Sequence, residues 1–373
     1  TDGVRGVANK FPVTAEIALK LGKAAALVLT KGKQKPIFII GKDTRRSNYM
    51  LENALTAGLT SMGAEVYLVG PMPTPAVAHL VRSFNADAGI MISASHNPAE
   101  HNGIKFFDGK GIKLPDKIEE EIENLVLHND LEKENINAKH IGRAYRIDDA
   151  QGRYIEFAKN TVKNISLKGL KIVLDCSNGA AYKVAPLVLS ELGAELIVLG
   201  NKPDGFNINK ECGSLYPEIA KAAVLGHQAD LGISLDGDAD RIVMIDNKGN
   251  ILDGDHILAI AGLYLIKNNK LKNNTIVATQ YSNMALDKLL ESKNGKVKRV
   301  KNGDRYVIEE MNKNDFTLGG EASGHIIFKD YNSTGDGLIA GLQILKILIE
   351  EKKKLSEMSN ILQKYPQVLI NIR

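Results

Sequence analysis

Asp236, Asp238 and Asp240 alternate along the run Leu235-Asp236-Gly237-Asp238-Ala239-Asp240-Arg241. Carboxylates crowded this closely raise one another's pKa unless a cation joins them. An all-oxygen ligand set favours a hard divalent ion, Mg2+ first. An EF-hand loop needs Gly at its sixth position and Glu at its twelfth; this chain has Arg241 and Asn247 there. A charged surface turn is the plain alternative. A second candidate is Ile92-Ser93-Ala94-Ser95-His96-Asn97-Pro98, which follows the apolar run Ala88-Gly89-Ile90-Met91. That run reads as a buried strand, and ligands bind at the carboxyl ends of strands in open α/β sheets. Ser95 would stand at such an end with His96 beside it and Asn97-Pro98 closing the turn. A hydrolase-type nucleophile elbow needs Gly-x-Ser-x-Gly, a frame that neither Ser95 nor Ser323 has.

The elements that must position these groups recur three times. Short runs rich in Ile and Val, spaced by helix-length segments, signal parallel βαβ units. The first set is Pro36 to Ile40, Glu65 to Val69 and Ala88 to Ile92. The second is Lys171 to Asp175, Glu195 to Leu199 and Leu231 to Leu235. The third is Thr275 to Thr279, Lys296 to Val300 and Phe316 to Leu318. Each third strand leads into a polar loop: Ser-Ala-Ser-His-Asn-Pro, then Asp-Gly-Asp-Ala-Asp-Arg, then Gly-Glu-Ala-Ser-Gly-His. Three such loops from three similar units can converge on one cleft. Thr14 reads as an N-cap for a helix from Ala15 to Leu29, and Ser47 as the cap of a helix running to about Gly63. Gly335 to Glu350 reads as a long amphipathic helix, with Asp336 as its cap. The turn Asn247-Lys248-Gly249-Asn250 marks a unit boundary near residue 250.

The 373-residue length fits two or three domains, and 44% hydrophobic with 25% charged residues is ordinary for a soluble globular chain. A net charge of +4, with no run of lysines and aromatics, argues against nucleic-acid binding and suits anionic small substrates. Cys176 and Cys212 are too few for a disulfide framework and fit reduced thiols in a cytoplasmic compartment. No apolar run approaches the ~18 residues of a membrane span, so no membrane association is expected, and there is no secretory signal. The chain begins at Thr1 rather than Met, so a few preceding native residues are expected.

Five motifs in order, Thr1-Asp2-Gly3-Val4-Arg5-Gly6, Ser93 to Pro98, Asn102-Gly103-Ile104-Lys105, Asp236 to Arg241 and Gly320-Glu321-Ala322-Ser323-Gly324-His325, resemble the α-D-phosphohexomutase superfamily over nearly the whole chain. The resemblance implies three consecutive similar α/β domains with mixed, mainly parallel sheets around a central cleft. These would be a phosphoserine domain over 1–146, a metal-binding domain over 147–249 and a sugar-recognition domain over 250–362. Residues 363–373, with Val368 to Arg373 as a first strand, would begin a fourth domain. That domain's Arg-Ser-Gly-Thr type loop is absent from this chain.

The resemblance further implies that Ser95 carries a phosphate. Through that phosphate Ser95 joins Asp236, Asp238 and Asp240 around Mg2+, and Arg5 and Arg241 offset the charge. Ser95 would phosphorylate glucosamine 6-phosphate and then take the carbon-6 phosphate from the 1,6-bisphosphate, leaving glucosamine 1-phosphate for UDP-N-acetylglucosamine synthesis. Glucosamine or glucose 1,6-bisphosphate would activate the serine. Lys105 is the preferred general acid/base and would have to give up its proton readily to act as base. Arg5 more naturally holds charge, and His96 either moves a proton or orients the serine. Glu321 and Ser323 suit sugar hydroxyls, and Gly303-Asp304-Arg305-Tyr306 resembles another cleft loop, adding Gly303 and Asp304 to the sugar contacts. Asp204 to Asn209, Cys212-Gly213-Ser214 and Cys176 to Ala180 resemble the glucosamine branch; His101 and Leu215-Tyr216 depart from it. A homodimer is compatible with this reading.

Three alternatives stay open. One is a phosphomannomutase or phosphoglucomutase of the same superfamily. Another is a non-catalytic sugar-phosphate binding protein, which would explain a cleft but not a serine facing three carboxylates. The third is a haloacid-dehalogenase-like phosphatase, whose pattern wants Thr or Val where this chain has Asp240.

Overall fold

The computed structural model describes residues 3–30, 32–128, 131 and 136–368. The first unit runs β1 (Val4–Val7), α1 (Ala15–Thr30), β2 (Ile37–Lys42), α2 (Asn48–Ser61), β3 (Glu65–Pro71), α3 (Thr74–Ser83), β4 (Ala88–Ile92), β5 (His101–Asp108), α4 (Asp116–His128) and β6 (Ala144–Arg146). The second runs α5 (Ala150–Asn160), β7 (Lys171–Asp175), α6 (Val184–Glu191), β8 (Glu195–Leu199), α7 (Pro217–Gly226), β9 (Leu231–Leu235), β10 (Ile242–Asp246) and β11 (Ile251–Leu252). The third runs α8 (Gly254–Lys267), β12 (Thr275–Thr279), α9 (Ala285–Glu291), β13 (Lys296–Val300), α10 (Asp304–Asn314), β14 (Leu318–Gly320), β15 (Ile326–Phe328), α11 (Gly337–Glu351) and α12 (Leu355–Ser359).

The sheet orders are β1-β5-β4-β2-β3-β6, β11-β10-β9-β7-β8 and β13-β12-β14-β15. Each has the same parallel centre: β2 between β3 and β4, β7 between β8 and β9, β12 between β13 and β14. In each, the third strand then turns back into an antiparallel neighbour, β5, β10 or β15. The polar loops are these reversals. Every residue of β4, β9, β10 and β12 is buried, as strands covered by helices on both faces require. Among the described residues no helix is long and apolar enough to cross a membrane.

Several expectations are corrected. The antiparallel returns carry no strong sequence signal, because β5 begins His-Asn-Gly and β15 has three residues. The third strand of the last unit is Leu318–Gly320, not Phe316 to Leu318. Phe316 instead fills a small core with Val277, Val307 and Met311. The strand takes two glycines for two reasons: α10 presses on Gly319, where a Cβ would lie 2.6 Å from Met311 Sδ, and the returning chain presses on Gly320, where a Cβ would lie 2.6 Å from the His325 carbonyl oxygen. Ser47 does not cap α2 with its side chain; its hydroxyl accepts from Asn102 Nδ2 at 2.7 Å. Thr14 Oγ1 does accept from Ile17 N–H, at 3.3 Å. The turn at 247–250 is a hairpin within the second sheet, since β11 pairs with β10. α11 starts at Gly337 and is buried nearly all round rather than along one stripe, because it packs between α8 and strands β9, β10 and β15. The strand expected from Val368 falls, apart from that residue, outside the described residues.

One continuous core joins all three units and includes Ile39, Met91, Ile172, Leu235, Ile276 and Leu345. Cys176 and Cys212 are free and buried, and burial pushes both thiols up, Cys212 to about 12.

Asp336 joins two of the units. Its side chain caps α11 at Ile339 N (3.0 Å) and accepts from Tyr154 Oη of the second unit at 2.9 and 3.0 Å. Burial pushes its carboxyl up to about 6. This folded value lies above the unfolded one, so the group's contribution to stability is complete below about pH 4 and is lost as pH rises through about 6. Asp336→Asn should therefore gain stability relative to the native chain between pH 4 and pH 7, by roughly 2–3 kcal/mol. Urea midpoints at the two pH values measure this, and a difference independent of pH would contradict it.

Candidate active site

Ser95 sits in the reversal between β4 and β5, 1% exposed, with a φ of +53° that a non-glycine residue rarely adopts. Its N–H donates to Ser93 Oγ at 2.9 Å. Its hydroxyl donates to Asp236 Oδ2 at 2.7 Å across the boundary between the first two units. The approach is close enough that a Cβ on Gly237 would meet the Ser95 carbonyl oxygen at 2.5 Å, so only glycine fits between Asp236 and Asp238.

The three carboxylates turn inward together. One oxygen from each of Asp236, Asp238 and Asp240 lies within 4.8 Å of the others, all buried. Lys105, from β5, places Nζ 2.6 Å from Asp238 Oδ2 and 3.8 Å from Asp240 Oδ2. Thr74 Oγ1 donates to Asp238 Oδ2 at 2.6 Å, and the Arg241 N–H donates to Asp236 Oδ1 at 3.1 Å. Burial pushes Asp238 up, but the Lys105 ammonium and the hydrogen bonds from Lys105 and Thr74 outweigh it and hold the carboxyl far below the usual range. Asp240 follows the same pattern: burial and the Asp238 charge push it up, and Lys105 and His325 hold it down. Asp236 moves the other way, pushed well up by burial and by the Asp240 and Asp238 charges.

Arg241 Nε also lies 3.9 Å from Asp240 Oδ1 and His325 Nδ1 3.6 Å from Asp240 Oδ2, yet the acids' hydrogen-bonding capacity is not filled. Asp238 Oδ1 and Asp240 Oδ1 are buried without a hydrogen-bond partner. A divalent cation among these oxygens would supply the missing partners. The residues present therefore fit a hard metal ion.

His96 Nδ1 lies 3.3 Å from Ser95 Oγ and 3.2 Å from Arg241 Nη1. A guanidinium only donates, so Nδ1 is the acceptor. Burial, then the Arg241 and Arg5 charges, push the imidazole down. Arg5, on β1 opposite Gly103, is thus near enough to act on His96, and its Nε is buried without a partner.

The third unit's reversal joins the same place. The Ile242 N–H donates to the Gly324 carbonyl at 3.1 Å and the Gly337 N–H to the Ala239 carbonyl at 3.0 Å. Glu321 Oε1 accepts from the Gly303 N–H at 3.1 Å, and Ser323 Oγ lies 3.5 Å from Glu321 Oε2. Ser323 is exposed and Glu321 half-buried. Asp304 differs from its neighbours: its carboxylate pairs with Lys113 of the first unit and lies 3.5 Å from His325 Nε2. Its charge thus bridges units.

Ser95, His96, Lys105, the aspartates and Arg241 are brought into one cluster; burial pushes Arg241 down, and the Asp240, Asp236 and Asp238 charges, with Glu321 after them, more than restore it. Sequence reasoning passed over Thr74 and Arg45, took Asn209 only as the end of the 204–209 run, and gave His325 no role. Arg45 had a usable signal, because Asp43-Thr44-Arg45-Arg46 is a polar run at the end of β2, the same kind of run that marked Ser95. Thr74 and Asn209 matter only through contacts far apart in sequence.

Comparison with known proteins agrees along the chain. Residues 1–133, 152–249 and 253–365 match, in turn, alpha/beta/alpha domains I, II and III of the phosphoglucomutase/phosphomannomutase family. The phosphoglucosamine mutase of Citrifermentans bemidjiense is 55% identical over 374 residues, spanning 100% of this chain and 82% of that protein. That of Syntrophotalea carbinolica is 55% identical over 375 residues with the same coverage. Among solved structures, a phosphoglucomutase/phosphomannomutase family protein from Burkholderia thailandensis superposes with a TM-score of 0.83 at 26% identity, covering 97% of this chain and 78% of its own. An Aspergillus fumigatus N-acetylphosphoglucosamine mutase, solved with GlcNAc-6P and magnesium, shares the fold at a TM-score of 0.59 and 19% identity, over 83% and 78% of the two chains. By sequence along its whole length and by fold, the chain belongs to the phosphoglucomutase/phosphomannomutase family.

Proposed function

We propose that the protein interconverts glucosamine 6-phosphate and glucosamine 1-phosphate, with Ser95 as the phosphoryl carrier. The observation that carries this reading is the Ser95 hydroxyl held 2.7 Å from Asp236 inside a buried acidic trio. A binding protein has no need of that juxtaposition. Relatives 55% identical over the whole chain are phosphoglucosamine mutases, which favours glucosamine over mannose or glucose.

In the first half-reaction the carbon-1 hydroxyl of glucosamine 6-phosphate attacks the phosphorus on Ser95. The new O1–P bond forms, the Oγ–P bond breaks, and the hydroxyl proton passes through the site to Ser95 Oγ. The product is glucosamine 1,6-bisphosphate, which must turn over so that its carbon-6 phosphate faces Ser95. In the second half-reaction Ser95 Oγ attacks that phosphorus, the O6–P bond breaks, and O6 takes up the proton that Oγ releases. Glucosamine 1-phosphate leaves and the phosphoserine is restored. Two in-line transfers replace one difficult shift.

Asp236, Asp238 and Asp240, with the Ser95 phosphate, would hold the cation, Mg2+ by the hardness of the oxygen set. Bound there, it neutralises charge on the group in transfer. Lys105, buried 2.6 Å from Asp238 Oδ2 beside the same trio, is assigned as proton carrier. Arg5 and Arg241 hold phosphate charge. His96, accepting from Arg241 and pushed toward the neutral form, orients the serine. Glu321 and Ser323 receive sugar hydroxyls. Gly303 supports this by fixing Glu321, and Asp304 by tying its loop to Lys113. A 1,6-bisphosphate of glucose or glucosamine would prime Ser95 when its phosphate is lost.

Intact mass is the direct test of the carrier. The native protein should gain one phosphate on incubation with glucose 1,6-bisphosphate and Mg2+, and Ser95→Ala should gain none; a native chain that stays unmodified would sink the assignment. For the cation, Asp238→Asn should weaken Mg2+ binding in titration calorimetry and lower kcat on the order of 10²–10³-fold while circular dichroism stays native. Unchanged Mg2+ affinity in that variant would move the metal elsewhere. Coupled assays should show a kcat/KM for glucosamine 6-phosphate at least about tenfold above those for the glucose and mannose 6-phosphates, the scale of one net hydrogen bond. Equal values would return the chain to a broader hexose mutase.

A further inference from the structure

The carbonyl side of the Ser95 turn is held as tightly as its hydroxyl side. Arg45, at the end of β2 and 0% exposed, donates from Nη2 to the Ser95 carbonyl at 3.2 Å and to the Asn97 carbonyl at 2.5 Å. Asn209, from the second unit, donates from Nδ2 to the same two oxygens, each at 2.9 Å. Each carbonyl has two lone pairs, and each therefore receives two donors from two different units.

Both clamping residues are themselves fixed. Asp43 pairs with Arg45 Nη1, accepts from the Arg45 N–H at 2.9 Å and from Asn48 Nδ2 at 2.7 Å. Asn48 Oδ1 in turn accepts from Asn102 Nδ2 at 2.7 Å, which ties the cluster to β5 and so to the strand that bears Lys105. Asn209 has a φ of +57°, and its N–H donates to the Ser177 carbonyl at 2.9 Å. Ser177 Oγ donates to the carbonyl of Leu235, the residue just before Asp236. The amide that grips the nucleophile's backbone is thus referenced to the strand that presents the acidic trio.

We propose that Arg45 and Asn209 are positioning residues for phosphoryl transfer, clamping the Ser95 and Asn97 carbonyls so that the serine keeps one aim relative to the trio through both half-reactions. This rests on Ser95 as the phosphoryl carrier. A left-handed serine costs about 1–3 kcal/mol and would relax away without outside contacts. The same oxygen must act as leaving group and then as nucleophile, and a misplacement of about 1 Å costs on the order of 10² in rate. Both clamping side chains are buried and bond the turn's carbonyls, not the Ser95 hydroxyl, so the clamp's loss should act on transfer and not on sugar binding.

Arg45→Ala leaves Asp43 buried without its partner and risks the fold, so the test uses Asn209→Gly, which keeps the backbone angle and removes the amide, beside Asn209→Asp, which keeps the shape and removes the donor. The readouts on purified protein are single-turnover transfer from phosphorylated Ser95 to glucosamine 6-phosphate, KM, the thermal midpoint and the 31P line of the phosphoserine. Both variants should slow transfer about 10–100-fold with KM within about twofold, a native melting transition and a shifted or broadened phosphoserine line. A wild-type transfer rate in Asn209→Gly on a phosphorylated enzyme overturns the clamp alone. A slower rate matched by lost melting cooperativity and a raised KM also overturns it, in favour of a purely structural role. A native chain that never takes phosphate on Ser95 overturns the carrier reading and the clamp with it.

Discussion

Three buried carboxylates in one five-residue stretch are the constraint around which the molecule is arranged. Burial and mutual repulsion both oppose their ionisation, and the described side chains offset that only in part. Lys105 takes up Asp238 and lies near Asp240, Thr74 adds a second donor to Asp238, and Asp236 is left as the carboxyl most resistant to ionisation. Lys105 and Thr74 both come from the first unit, and His325, near Asp240, comes from the third. An acidic loop built by the second unit is therefore tolerable only when its neighbours are docked against it.

The sheet topology makes that docking automatic. Each parallel centre ends in a reversal to an antiparallel strand, so each unit presents one short polar loop from its most buried strand. The shared core and the nearly fully buried α11 keep those edges in register. Backbone hydrogen bonds then stitch loop to loop: Thr74 N–H to the Asp238 carbonyl at 2.9 Å, Ala180 N–H to the Gly237 carbonyl at 2.8 Å, Ile242 N–H to the Gly324 carbonyl at 3.1 Å. Side chains at the site inherit their geometry from this stitching.

Much of the arrangement was legible in the chain because it is written in local signals. β4, β7, β8, β9, β12 and β13 have the bounds expected from the sequence, and the polar run after each third strand marked the loops. What stayed hidden depends on partners distant in sequence. Phe316 looked like strand because it is apolar, whereas the pairing went to Leu318, Gly319, which lets α10 approach, and Gly320, which lets the returning chain at His325 approach. Ser47 looked like a cap because serine often is one, but Asn102, far along the chain, took its hydroxyl. The uniform burial of α11 follows from its position between two sheets, which no amphipathic pattern encodes.

The same distinction explains why the individual motifs are weak and their combination is strong. A serine in a left-handed turn is locally unfavourable, and so is a cluster of buried acids. Each is a poor local choice, and such local conflicts collect where a chain does chemistry. Here the two conflicts resolve one another: the serine hydroxyl donates to the acid least disposed to ionise, and Gly237, inside the acidic loop, makes room for the serine's own carbonyl. Ser95 and Asp236 lie on different units, so the resolving contact exists only in the assembled fold. A change that loosened the boundary between the first two units would thus disturb the Ser95–Asp236 contact before it disturbed either sheet.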